Sequence, residues 1–325
     1  MKNILRLFLF LAAYFLTANS FSQGLVNRSD TLSKKETDSL VIHYCSVLKE
    51  HYFDKPKANE IEKILMKKLK NKEFYEVPAK HLTDKLSLLL RDITHDLHFY
   101  IGIQEPTPTQ TDDGTREEQL SEEPKNHFSG FTEIKLLENN IGYIKWTEFI
   151  ADDQSFQKLV AALTFLEGCD HLIFDISHCP GGDGRMGGFV NHHLYESPDY
   201  QDVLLKKCGG ENEWHQSEVP YNYSNGPKFF DIPVYIIISK NTASSAEYFA
   251  LIAQETKRAT ILGETTAGAG NPVIMIPFDT YFAYVPVCEI KTAGGKSIEG
   301  KGVVPDVQLK SDHWIEETVK YILKE

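Results

Sequence analysis

The stretch Asn241-Thr242-Ala243-Ser244-Ser245-Ala246-Glu247-Tyr248-Phe249 follows the apolar, β-branched run Val234-Tyr235-Ile236-Ile237-Ile238. The earlier run reads as a buried strand, and Ala246 to Gln254 as an amphipathic helix, so the chain turns from strand to helix between them. A serine on such a turn stands clear of the sheet at the positive end of a helix. There its hydroxyl can attack a carbonyl carbon, and nearby backbone N–H groups can hold the oxyanion that results. Ser244 and Glu247 equally spell a capping box, Ser-x-x-Glu, which requires no chemistry.

Outward from this turn, strand and helix alternate. Ile141 to Trp146 reads as a strand, and Asp152 or Asp153 as the cap of a helix through Phe156, Leu159, Leu163 and Phe165. His171 to Ile176 is a buried strand, Arg185 to Leu194 a helix, and Thr260-Ile261-Leu262 a further strand. Val273 to Ile276 and Tyr281 to Ile290 look like hairpin strands. The alternation predicts an α/β core with parallel strand pairs and helices packed on the sheet, over 128–325.

The N-terminal part differs. Thr31 or Ser33 can cap a helix through Leu40, Ile42, Cys45, Leu48 and His51; Glu60 to Leu69 and Ala79 to Arg91 repeat the three-to-four apolar spacing. Three amphipathic helices with short links predict a small helical bundle subdomain over 23–102. Residues 103–127 are acidic, rich in Pro and Thr and almost free of aliphatics, and read as a linker or surface loop. Residues 1–22 read as a signal peptide: Lys2 and Arg6 accompany an apolar stretch ending at Leu16 that is short for a membrane span, and Ser20 and Ser22 suit a cleavage site. The protein is thus expected to be exported, to the periplasm or beyond, with no stable membrane insertion after cleavage.

The net charge of −12 argues against nucleic acid and anionic membrane as partners. The five cysteines contain no Cys-x-x-Cys pair, which removes support for a zinc knuckle or a thioredoxin-type site. Export permits disulfides, an odd count leaves a thiol over, and most of the five read as buried small apolar side chains.

A serine nucleophile needs a base, a group that orients the base, and an oxyanion hole. Asp175-Ile176-Ser177-His178-Cys179-Pro180-Gly181-Gly182-Asp183-Gly184 sits at the C-terminal end of a buried strand, where ligand sites of α/β sheets gather. Its glycines allow backbone N–H groups close to a ligand, although the segment also suits a plain turn. It lacks the Gly-x-x-x-x-Gly-Lys pattern of a phosphate loop. Thr94-His95-Asp96-Leu97-His98 precedes the apolar run from Phe99 to Ile103, placing His98 at the lip of a strand. His95 and His98 have no matching partner spaced for zinc, and either also suits a surface role. Gly294 to Asp306 is a glycine-punctuated loop carrying Glu299.

These four blocks, in this order, resemble the tail-specific (C-terminal processing) serine proteases, peptidase family S41. The closer likeness is to the branch with the tricorn core and the interphotoreceptor retinoid-binding protein modules. It spans roughly Thr37 to Val307 and rests on Thr242-x-Ser244-x-Ala246-Glu247, Gly263 to Gly268, the Pro180-Gly181-Gly182 turn and the Glu299 to Asp306 ending. The resemblance implies a ClpP/crotonase-like core, no metal and no cofactor. It implies Ser244 as nucleophile, His98 as general base and Glu299 as the carboxylate that holds the imidazole. It also implies an oxyanion hole from the Ser245 N–H with that of Gly181 or Gly182. Three departures stand out. Ala269 occupies the position where better-known members carry a catalytic lysine, which leaves the His98 scheme. The segment from Ile101 to Phe131 is too short for the PDZ domain those members insert. Ser177 and Cys179 replace the family's Arg and Asn in the glycine turn.

The resemblance implies an exported serine peptidase acting on peptide or unfolded protein, as a monomer or an oligomer. The alternative is a weak or inactive member of the same fold that binds an apolar ligand or peptide. Acyl-CoA chemistry of the crotonase kind shares the oxyanion logic but fits an exported protein poorly.

Overall fold

The computed structural model describes residues 29–104, 128–217, 225–311 and 313–324. The expected signal peptide and residues 105–127 of the expected linker lie outside the described residues. In chain order the elements are α1 (Lys34–His51), α2 (Lys55–Lys70), α3 (Ala79–Thr94), β1 (Tyr100–Ile103), β2 (Phe131–Leu137), β3 (Ile141–Trp146), α4 (Asp153–Phe165), β4 (His171–Asp175), α5 (Gly184–Leu194), β5 (Leu204–Cys208) and β6 (His215–Gln216). They continue with β7 (Val234–Ile238), α6 (Ser245–Glu255), β8 (Ala259–Gly263), β9 (Val273–Phe278), β10 (Tyr281–Pro286), β11 (Cys288–Thr292), β12 (Val307–Gln308) and α7 (Trp314–Ile322).

The central sheet has the order β12-β8-β7-β4-β3-β2, parallel throughout except for the antiparallel edge pair β2–β3. One register row runs Ile144–Phe174–Ile236–Ile261, all fully buried. Neighbouring positions Tyr143, Ile173, Tyr235 and Leu262 face the other way, into a second core shared with α7. Both faces are covered, which is why these strands read as continuous apolar runs rather than alternating ones. Each fully buried Ile or Phe contributes about 1.5–3 kcal/mol.

The N-terminal lobe departs from a simple bundle. Its helices pack on a three-stranded antiparallel sheet, β1-β10-β9. One core joins Leu40, Tyr44, Leu65, Leu86 and Phe99 to Tyr281, Ala283 and Val285. The lobe boundary therefore does not follow chain order, because the β9–β10 hairpin completes a core begun in α1–α3. Amphipathic spacing showed that each helix had an apolar face but not what would cover it. The hairpin ends at Pro286, so Cys288 to Ile290 belong to another sheet, β11-β5-β6.

In that sheet Cys208 and Cys288 are direct cross-strand partners and form a disulfide with a sequence separation of 80. Closing a loop of that length is worth about 4–5 kcal/mol in the chain-entropy account. Cys45, Cys169 and Cys179 are free and buried, as expected of small apolar side chains. Among the described residues no helix is long and apolar enough to cross a membrane.

Candidate active site

β4 and β7 are adjacent and parallel, so the turns that leave their C-terminal ends leave side by side. The Ala243 N–H donates to the Cys179 carbonyl at 3.1 Å, the Thr242 hydroxyl to the Ile176 carbonyl at 2.8 Å, and the Ser239 hydroxyl to the Ser177 carbonyl. Sheet order thus brings the serine turn and the glycine turn together, and these bonds lock them.

Ser244 has φ 55° and ψ −128°, outside the ordinary left-handed well and unfavourable for a residue with a Cβ. Such a conformation costs about 1–3 kcal/mol and persists only where the surroundings impose it. It is the backbone shape of a nucleophile on a sharp strand-to-helix turn. The Ser244 N–H donates to Glu247 Oε2 at 2.9 Å, and the Glu247 N–H donates to the Ser244 carbonyl at 2.9 Å. Ser244 and Glu247 thus form the capping box that opens α6.

Glu247 does more than cap. It is completely buried, and its carboxylate accepts four hydrogen bonds: from Ser244 N–H, Ala269 N–H, Gly268 N–H and the Thr266 hydroxyl. Thr266 Oγ1 in turn accepts the Val303 N–H. One buried carboxylate thus joins the Ser244 turn to the loop after β8 and, through Thr266, to the segment following Glu299.

The glycine turn keeps its form despite the substitutions in it. Ser177 donates its N–H and hydroxyl to Asp175 Oδ1 at 3.0 and 2.6 Å, and Tyr143 donates to Asp175 Oδ2 at 2.7 Å. Cys179 is buried and its thiol is pushed up to about 12 by burial, so it is an inert packing residue. His178 is exposed, contacts Ser177 and lines a different cavity from Ser244. Gly181 has φ 101°, and a Cβ there would lie 2.8 Å from Ser244 Cβ and 2.7 Å from the Ala243 carbonyl oxygen. Gly182 has φ 131° and bridges Phe149, whose backbone bonds Gly181 and Asp183. That pattern turns the Gly182 N–H away from Phe149. Ser245, the first residue of α6, has an N–H without an intrahelical acceptor, and its hydroxyl donates to the Gly182 carbonyl at 3.1 Å.

His98 lies on the short link between α3 and β1. His95, at φ 59°, ends α3 in the left-handed conformation. The carboxylate on the His98 imidazole is Asp96, not Glu299. Asp96 Oδ1 accepts the His98 N–H at 2.9 Å and faces His98 Nδ1 at 3.1 Å, while Oδ2 accepts from Asn271 Nδ2 at 2.9 Å. The Asp96 side chain is 2 % exposed and that of His98 13 %. An acceptor on Nδ1 places the proton there and leaves Nε2 with its lone pair, the form a base requires. Nε2 is buried and has no hydrogen-bond partner, so no bond joins it to Ser244 in this state.

Glu299 Oε2 accepts the N–H groups of Gly270 and Asn271 at 2.7 and 2.9 Å, and Oε1 is buried without a partner. Asp96, His98 and Glu299 each present an atom within 4.8 Å of the others, the one such group among the described residues that could hold a metal ion. Burial, then the Asp96 charge, push the Glu299 carboxyl up to about 7, against the backbone donors and His98. The folded protein therefore holds a proton that the unfolded chain gives up near 4.5, and stability falls as pH rises from there toward 7. Glu299→Gln is expected to remove that slope. Thermal melts should show the variant gaining on the wild type between pH 5 and pH 8; a constant difference across that range contradicts the assignment.

The two halves meet at Gly270 and Asn271, which line one cavity of about 460 Å³ together with Gly182, Ser244 and Ser245. Asn271 touches both carboxylates of the His98 cluster. Asp96, Asn271 and Glu247 were missed as site residues. Asp96 had a signal, since an aspartate two positions before a residue readily accepts that residue's N–H. Asn271 had none.

A strained serine beside a glycine turn, and a histidine bonded to a buried carboxylate and linked to the same cavity through Asn271, are parts that a serine hydrolase uses. The chain belongs to peptidase family S41, whose family model matches residues 140–309. It is 28% identical over 170 residues to the carboxyl-terminal-processing protease of Synechocystis sp., a match covering 51% of this chain and 37% of that one. It is 26% identical over 179 residues to the carboxy-terminal processing protease CtpA of Bacillus subtilis, covering 54% and 36%. The chain thus spans little more than a third of these curated relatives. The fold is similar to that of a putative peptidase from Parabacteroides merdae, with a TM-score of 0.60, 15% identity and coverage of 90% and 96%. It is also similar to the photosystem II D1 C-terminal processing protease, with a TM-score of 0.52, 18% identity and coverage of 86% and 94%. The α/β core with flanking helices is the fold these proteins share.

Proposed function

We propose that this protein is a serine peptidase that cleaves peptide bonds in peptide or unfolded protein substrates. The observation that carries the reading is Ser244, held at φ 55° on the strand-to-helix turn, against the Gly181 turn, and lining the cavity. In this reading Ser244 Oγ attacks the carbonyl carbon and His98 Nε2 takes the hydroxyl proton. The Ser245 and Gly182 N–H groups, with Gly181 shaping the turn, hold the oxyanion. His98 then gives the proton to the leaving amine, and water, activated by the same nitrogen, releases the acyl group. Asp96 holds the imidazole tautomer. Glu299 acts one step back: its bonds to Gly270 and Asn271 position the amide that holds Asp96. Each oxyanion donor is worth about 2.7–4 kcal/mol in the transition state. Export is part of the proposal, supported by the apolar N-terminal segment and by the Cys208–Cys288 disulfide, which suits an oxidising compartment.

A second reading, a ligand-binding protein on the same scaffold, is favoured by one observation: Ser244 and His98 Nε2 are not hydrogen-bonded. Catalytic bonds of this kind are often long before substrate binds. Labelling with a fluorophosphonate followed by peptide mapping separates the two. The peptidase reading expects an adduct on Ser244, slowed strongly in His98→Ala and absent in Ser244→Ala. An adduct elsewhere, or no adduct on the wild type, favours the binding protein.

A further inference from the structure

The cavity beside Ser244 runs between α5 and α6 and has a polar group that the peptidase scheme leaves unused. One stripe of α5, Gly184, Gly187, Gly188 and Asn191, lines one side. The absence of side chains at the glycines opens the groove, and seven residues of helix carry it about 10 Å from the oxyanion turn. At that distance the wall is Leu204, Ile252 and Ile290, all buried and apolar. Asn191 lies among them, is only 1 % exposed, and its Oδ1 is buried with no hydrogen-bond partner. A buried, unpaired amide oxygen is costly, so a group that completes it is favoured over one that does not.

Resting on the peptidase reading, we propose that this groove receives the substrate side chain on the carbonyl side of the cleaved bond. It selects a long, apolar side chain with a neutral hydroxyl at its tip, that of tyrosine, through the Asn191 amide. Apolar walls and glycine-made room fit an aromatic ring. A side-chain amide presents an acceptor and a donor, which a phenol hydroxyl matches as donor and acceptor. Phenylalanine fills the same walls but leaves the amide unpaired. Lysine brings an ammonium to a place with no carboxylate. Asp183, the acid lining this cavity, is already paired with Arg185, Nε to Oδ2 at 2.9 Å.

The test uses binding, so that it stands apart from catalysis. Peptides identical except for a C-terminal Tyr, Phe or Lys are titrated calorimetrically into the Ser244→Ala protein. Tyr is expected to bind about 10–100-fold more tightly than Phe, with Lys weakest. Asn191→Leu in the same background should remove the Tyr–Phe difference while leaving Phe binding within about threefold. Equal binding of Tyr and Phe, no binding of any peptide, or a Tyr preference that survives Asn191→Leu overturns the proposal. The Tyr–Phe comparison needs no folded Asn191 variant. A Tyr preference in a protein that fluorophosphonate does not label at Ser244 overturns the peptidase reading alone.

Discussion

Ser244→Ala is expected to lower kcat on a cleaved peptide by about 10⁶-fold, Asp96→Asn by about 10⁴-fold, and the double variant no further than Ser244→Ala alone. The first figure follows from losing the nucleophile, which leaves only the oxyanion donors and substrate binding. The second follows from the tautomer. Asp96 Oδ1 faces His98 Nδ1, and an acceptor there keeps the proton on Nδ1 and the lone pair on Nε2. An asparagine amide turned with its nitrogen toward Nδ1 reverses the assignment: Nδ1 becomes the acceptor, Nε2 carries the proton, and it can no longer take one from Ser244. Asp96 touches no substrate, so its loss should appear in kcat with KM nearly unchanged. A Glu299→Gln effect larger than that of Asp96→Asn, or additive losses in the double variant, would return the orienting role to Glu299.

What the sequence disclosed and what it hid divide along physical lines. The strand-to-helix alternation after Phe128 was legible because each strand is buried on both faces and each helix on one, and those requirements leave periodic apolar residues. Ser244 and the Gly181-Gly182 turn were legible for a related reason. Each sits where a strand ends, and glycines mark the backbone that must turn. The pairing of β1 with β10 was not legible, since the partners are separated by most of the chain and no local pattern encodes a long-range register. The carboxylate bonded to His98 Nδ1 was not legible, because the family pattern points to Glu299. The hydrogen bond to Nδ1 is instead set by a two-residue local turn at Asp96. Asn271 was invisible, since its role exists only once β1 and the loop after β8 are folded together.

The integration of these parts rests on Glu247, and its removal should be the most damaging single change to folding. Glu247→Ala is expected to destabilise the protein by more than about 4 kcal/mol in urea unfolding, among the largest values seen for point changes. Four donors lose their acceptor in a site closed to water: the Ser244, Gly268 and Ala269 N–H groups and the Thr266 hydroxyl. Each buried donor left alone costs about 1–3 kcal/mol, and partial relaxation keeps the total below the sum. Ser244 adds to the loss, because its unfavourable φ is held in part by the bond to Glu247 Oε2. Glu247→Gln separates the two effects. Its carbonyl oxygen can serve one pair of donors, but its NH₂ group faces the other pair and cannot accept from them. About half of the destabilisation should remain. If the NH₂ group faces Ser244 and Ala269, the serine turn should relax and fluorophosphonate labelling should slow in protein that is still folded. If Glu247→Ala unfolds within 1 kcal/mol of the wild type, the buried carboxylate is not what holds the nucleophile turn against the loop after β8, and the strain at Ser244 is carried by the packing of Gly181 instead.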